Sequence, residues 1–191
     1  IVSTVRAIGD KKHTHIVSET RMEENLEIRK TRKEDIPRLK QIFATARQFM
    51  ASNGNPDQWA PSYPSDEQLL NDINNGDSFV VISDSRQIVA TFVLHAGIDP
   101  TYNTIYEGQW LNDAPYATIH RIASNGEVKG IFRLALQFAL NRYDNIRIDT
   151  HHDNIVMRNA IMQNGFSYCG IIHCWNGDER MAYQYVKEPD V

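Results

Sequence analysis

The stretch Ile119-His120-Arg121-Ile122-Ala123-Ser124-Asn125-Gly126-Glu127-Val128-Lys129-Gly130-Ile131-Phe132 decides how this chain is read. Its first part completes an apolar strand over Ala117 to Ala123, and Ile131, Leu134, Ala135, Phe138 and Ala139 then recur at helical spacing. The turn between strand and helix holds Gly126 and Gly130. At such a turn the first helical N–H groups have no intrahelical partner and the helix dipole favours an anion. A pyrophosphate can dock there, with Lys129 adding a point charge and Gly130 letting a ligand approach the main chain. Glycine in a strand-to-helix turn also has a purely conformational reading, and the turn alone leaves both open.

Working outward, a second strand over Ile146 to Thr150 follows the helix, and a further helix lies between Asn154 and Asn164 with Gly165 as its stop. Phe166 to Trp175 and Glu179 to Val186 flank Asn176-Gly177, a pair suited to a tight hairpin. Toward the N-terminus, Phe79 to Ser83 and Ile88 to His95 read as another hairpin. Ser65 with Gln68 caps a short helix, and Thr31 with Glu34 has capping-box spacing before a long amphipathic helix that includes Ile36, Leu39, Ile42 and Phe43. The order β, α, α, β, β, β, α, β, α, β, β predicts an α/β (α+β) domain with helices packed on a mixed sheet. Residues 1–21 have no sustained period and read as an N-terminal extension, with 22–191 as one domain.

Bulk properties agree with one folded unit. Apolar residues are 41% of the 191 and charged residues 23%, so the chain can build a core without staples. A net charge of −4 with no Lys/Arg cluster argues against a nucleic-acid partner. No apolar run approaches the roughly 20 residues of a membrane span, and a cytoplasmic address with reduced Cys169 and Cys174 is the expectation. His151, His152, Cys169, His173 and Cys174 raise the question of a metal. Strand alternation puts Cys169 and His173 on one side and Cys174 on the other, so no metal is expected.

The whole succession from about Leu26 to Val186 resembles the GNAT family of acetyltransferases, in particular a bacterial subgroup. The likeness is carried by Asn55-Pro56-Asp57-Gln58-Trp59, Glu107-Gly108-Gln109-Trp110-Leu111, Ile119-His120-Arg121-Ile122-Ala123 and Asp149 through Gly170. The resemblance implies a mostly antiparallel twisted sheet with a splayed central strand pair and about four helices, and acetyl-CoA as cosubstrate. It implies that Ile122, Ala123 and Ser124 face the pantetheine, that Val128, Lys129, Gly130, Ile131 and Phe132 cradle the pyrophosphate, and that Asn154 is the family's Asn at the next helix. The sequence departs from the family pattern at Glu127, a negative charge by the phosphate loop, at bulky Phe132, and at Ile161, where many relatives carry a tyrosine acid.

An alkylammonium must lose a proton before it can attack a thioester, so a base is needed. Glu107 and His120 are the candidate bases, each with a bland reading beside the catalytic one: a loop carboxylate capping an N–H, and a packed strand histidine. Tyr168 is the candidate acid, with Tyr183 and Tyr116 as substitutes. Asn55, Gln58, Trp59 and Trp110 suit an acceptor pocket or equally plug the edge of the core. The leading expectation is N-acetyl transfer to a primary amine, small or peptidic; the alternative is a silent CoA-binding sensor or scaffold, and a third is an interaction domain. A homodimer is compatible with exposed strand rims.

Overall fold

Alternation along two neighbouring strands organises the molecule. Ile146 and Ile148 point to one face while Asn145, Arg147 and Asp149 point to the other, so the sheet has an oily side here and a polar side. The computed structural model describes residues 25–188; the extension expected at 1–21 lies outside the described residues. Within that span the elements are β1 (Glu27–Lys30), α1 (Ile36–Ser52), α2 (Asp66–Asn74), β2 (Ser78–Ile82), β3 (Ile88–Ala96), β4 (Ala117–Ser124), α3 (Ile131–Leu140), β5 (Asn145–Thr150), α4 (Ile155–Gln163), β6 (Ser167–His173) and β7 (Glu179–Val186). They form one seven-stranded sheet in the order β1-β2-β3-β4-β5-β7-β6. Every neighbouring pair is antiparallel except β4 and β5, which run parallel because α3 crosses between them.

The expected mixed, mostly antiparallel sheet with four helices is therefore the fold. Helices α3 and α4 cover the oily side: Ile131, Phe132, Ala135 and Ile161 pack with Ile119, Ile146 and Ile148. Helices α1 and α2 cover the other side over β1 to β4, where Leu39, Ile42, Phe43 and Leu69 meet Val80, Ile82 and Ala123. They do not reach β5, β7 and β6. The long connection between β3 and β4 covers that half instead. Asn112 accepts from Asn145 and Gln184, the Leu111 N–H donates to Gln184, and the Arg147 guanidinium lies over the Trp110 ring. Tyr102, Ile172 and Ala182 form a small third cluster beneath it.

One of two local capping expectations shifts. Ser65 caps α2 as expected, accepting from the Gln68 N–H. The box at Thr31 and Glu34 does not form: Thr31 is buried, accepting from the Ser78 hydroxyl, and Asp35 accepts from the Arg32 N–H in front of α1. Arg29 draws Asp35 into a bidentate pair, which makes Asp35 the better-placed acceptor.

Candidate active site

The site begins where β4 and β5 part. Only Ala117 and Thr118 pair with Ile146 and Arg147; from Ile119 onward the β5-facing side of β4 has no strand beside it. Across β4, the register with β3 slips between Thr91 and Val93, so Phe92 alone faces Arg121 and Ile122. This bulge puts Arg121 at φ 46, a left-handed conformation that a non-glycine residue adopts only when its surroundings hold it there. A cavity of about 890 Å³ opens along the gap.

One end of the cavity lies against α3 and α4. Ile122, Ala123, Ser124, Ile131, Phe132 and Asn154 all line it. Gly126 of the glycine turn lines it too, as does Asn125, which the sequence reading did not single out. The turn is shaped from within: the Ser124 hydroxyl accepts from the Gly126 N–H, and the Asn125 carbonyl oxygen accepts from the Glu127 N–H. Gly130 precedes α3 at φ 79 with open space where a Cβ would be, so the free N–H groups of the first turn are accessible.

These features fit a CoA phosphate. The Asn125 amide nitrogen is buried on the cavity wall with no hydrogen-bond partner, a donor in want of an acceptor. Val128, Lys129 and Gly130 are not on the wall; Val128 packs against the core and Lys129 is exposed. The departures noted in the sequence have physical answers. Glu127 is exposed, which keeps its charge in water, and Phe132 is buried against Phe166, so its bulk fills the core. Ile161 is fully buried in that core. Asn154 caps α4 through the Met157 N–H and donates to Gln58.

The other end lies beneath α1, α2 and the loop between them. His120 lines it, and its Nε2 is 3.0 Å from Asp99 Oδ2. Burial alone would raise the Asp99 carboxyl, but hydrogen bonds from His120 and Thr101 outweigh it and hold Asp99 at about 2. With Asp99 ionised, a neutral His120 carries its proton on Nε2 and leaves Nδ1 as a lone pair. Arg121 donates to both oxygens of Asp72, at 2.8 and 2.6 Å, and to the Tyr63 hydroxyl at 3.3 Å. Asp149 accepts from the Tyr102 hydroxyl at 2.6 Å. Burial first, then Asp149, pushes Tyr102 well above the ordinary tyrosine range, so it stays neutral.

Of the residues expected to bind the acceptor, Gln58 and Trp59 line the cavity, with Trp59 packed edge-on against Phe43. Asn55 is buried off the wall and donates to Gln58. Trp110 lies off the wall: its Nε1 donates to the Tyr102 carbonyl, and its ring supports Arg147 in the connection covering the far half of the sheet. Glu107 and Tyr168 lie in the same region, away from the cavity. Tyr106 pairs with Ile171 on the outer edge of β6, and a Cβ on Gly108 would overlap the Cys169 carbonyl, so the chain presses onto β6 there. Glu107 is held at φ 54 beside Tyr168, and neither lines the cavity. Tyr183 and Tyr116 are off the wall as well, whereas Tyr63 is on it.

Asp72, Asp99, Arg121 and Tyr63 are among the wall residues missed from sequence. Arg121 carried a signal, a charged residue inside an apolar strand; Asp99 and Asp72 had none, since their partners are distant in the chain. Among the described residues the potential metal-ligating group is His151, His152 and Asp153, consecutive in a turn; the cysteines do not join it. No helix of the described residues is long and apolar enough to cross a membrane.

No protein-family model and no curated protein sequence matches the chain. Solved structures do. A GNAT-family acetyltransferase from Streptococcus agalactiae is 31% identical, with TM-score 0.74 over 86% of this chain and 96% of that one. A GNAT-family acetyltransferase from Listeria monocytogenes (16% identity, TM-score 0.63, 84% and 94% covered) and an acetyltransferase-like protein from Staphylococcus aureus (19%, 0.60, 83% and 97%) share the fold. The splayed β4–β5 pair, the bulge in β4 and the glycine turn before α3, together with the first of these likenesses, place the chain in the GNAT family of acetyltransferases.

Proposed function

We propose that the protein transfers an acetyl group from acetyl-CoA to a primary amine by direct attack, with His120 as the general base. The observation that carries this is the His120–Asp99 pair, 3.0 Å apart, on the wall of the cavity that opens where β4 leaves β5. Acetyl-CoA supplies the activated acyl group. Its phosphates suit the Asn125 amide and the first turn of α3, and its pantetheine suits the unpaired side of β4 from Ile119 to Ser124.

The chain's own part is positional and protonic. Asp99 fixes the tautomer of His120, and Nδ1 takes the proton from the incoming ammonium directly or through one water. A main-chain N–H of β4 near Ile122, past the point where β4 stops pairing with β5, is the donor for the charge that develops on the thioester oxygen. A CoA thiol has a pKa of roughly 8.5 and leaves as thiolate with little help, so the buried Ile161 in place of a tyrosine acid is compatible with turnover. The exposure of Glu127 and burial of Phe132 remove two of the reasons for a silent binder.

The test is release of free thiol from acetyl-CoA in the presence of amines, for the wild type and for His120→Gln and Asp99→Asn. A general base contributes about 10²–10⁴-fold, so His120→Gln should lose that much in kcat, and Asp99→Asn a smaller part. Full rates in both variants would remove His120 from the chemistry.

A further inference from the structure

Resting on the acetyl-transfer reading, we infer that the acceptor is a primary amine attached to an apolar or aromatic body and bearing no carboxylate. The charges on the cavity wall carry this. Among the described residues, its arginines are Arg121 and Arg180, and no lysine lines it. Arg121 is spent on both oxygens of Asp72. Arg180 is buried and donates to the Glu179 and Gln58 carbonyls, with Asp178 3.9 Å from its Nη2. A carboxylate on the acceptor, such as that of a free amino acid, would find no uncommitted guanidinium or ammonium there and would be desolvated unpaired.

A cation meets the opposite situation. Among the described residues, Asp77 and Asp99 on the same wall have histidines, His95 and His120, as their ionic partners, and Asp99 otherwise accepts from neutral Thr101. Asp149 has no cationic partner among the described residues, since its hydrogen bond comes from neutral Tyr102. An ammonium arriving beside Asp149 and Asp99 gains opposite charge within reach of His120. The rest of the acceptor meets apolar surface. Phe49, Ile98 and Trp175 are 54%, 71% and 83% exposed, come from three separate elements, and all line this cavity. Three large apolar side chains held in water around one opening have area to gain by covering a ligand.

The experiment compares 2-phenylethylamine with phenylalanine, which differ by the carboxylate, as ligands of the CoA-saturated protein. Trp59 and Trp175 line the cavity, so intrinsic fluorescence reports occupancy without turnover. Phenylethylamine should bind at least about tenfold more tightly, a difference of 1.4 kcal/mol, and Asp149→Asn, which can still accept from Tyr102, should weaken it by about tenfold. Equal or tighter binding of phenylalanine, or unchanged binding in Asp149→Asn, overturns the inference. Thiol release is measured in parallel. If no amine accelerates it, the acetyl-transfer reading fails on its own, while the ranking of the two ligands still decides the charge argument.

Discussion

Arg121 in β4 and Asp72 in α2 meet across the cavity as a two-pronged ion pair with both side chains nearly out of solvent. The pair ties the helix that covers one face of the sheet to the residue at the bulge, whose φ of 46 is costly by itself. A left-handed non-glycine residue costs about 1–3 kcal/mol and persists where its neighbours over-determine it. Removing one member of a buried pair leaves the other charge unpaired, a loss of about 3–5 kcal/mol. Asp72→Asn should therefore lower the urea midpoint sharply, and Asp72→Asn with Arg121→Met should recover much of the loss. A double variant that adds the two single losses would show that the pair is not a unit. In activity, on the proposed acetyl transfer, Arg121→Met should lower kcat more than it raises KM for acetyl-CoA, because the bulge it holds would then sit beside the reacting carbonyl.

Asp99 gives the fold a specific acid limb. Its carboxyl is held at about 2 against an ordinary 3.8 by His120 and Thr101, in spite of a burial penalty that acts the other way. A lowered carboxyl contributes stability that is complete above the unfolded value and is lost as pH falls through the folded one. Between pH of about 4 and about 2, the wild type should thus lose stability that Asp99→Asn lacks already at neutral pH. Chemical denaturation across that range checks it, and parallel curves for the two proteins would mean that Asp99 is not held low.

What could be read without coordinates follows from locality. The strand at Ala117 to Ser124, the turn through Gly126 and Gly130, and the helix from Ile131 are set by period and by glycine, both of which act within a few residues. Ile122, Ala123 and Ser124 reached the cavity because they belong to that unit. Glu107 and Trp110 did not, because their place is fixed by what α1 and α2 leave uncovered. Gly108 and Gly170, pressed together at the β6 edge, are the only local sign of that close approach. Asp72 and Asp99 became site residues through partners 49 and 21 positions away, a relation that no window of sequence contains.

The two cysteines should be slow to react. Burial first, then the nearby Asp149, raises the Cys174 thiol to about 11, and burial raises Cys169 as well. Alkylation requires the thiolate, so at neutral pH both should react with iodoacetamide far more slowly than a free thiol, with the rate still rising above pH of about 9. Cys174 lines the cavity, which makes this a test of charge there as well as of access. Fast labelling of Cys174 at pH of about 7 would contradict an acidic, dry wall around Asp149.

Gln58 joins three parts of the site through a single oxygen. Its Oε1 accepts from the Asn55 amide at 2.8 Å and from the Asn154 amide at 2.9 Å, with the Thr150 hydroxyl at 3.4 Å. The loop bearing Trp59 is thereby tied to the end of β5 and to the cap of α4, that is, the acceptor end of the cavity to the cofactor end. Replacing Gln58 with leucine keeps the bulk but strands the two amide donors, at a cost of about 1–3 kcal/mol each. Glutamate offers the same oxygen with a charge, so Gln58→Glu should hold the loop in place. Gln58→Leu should then raise KM for the amine more than KM for acetyl-CoA, because Asn154 keeps its own bond to the Met157 N–H while the loop carrying Trp59 has lost its tether. Gln58→Glu should restore the amine KM toward the wild-type value. If both variants behave alike, the three-way bond is incidental, and the loop owes its position to Trp59 packed between Phe43 and Tyr63.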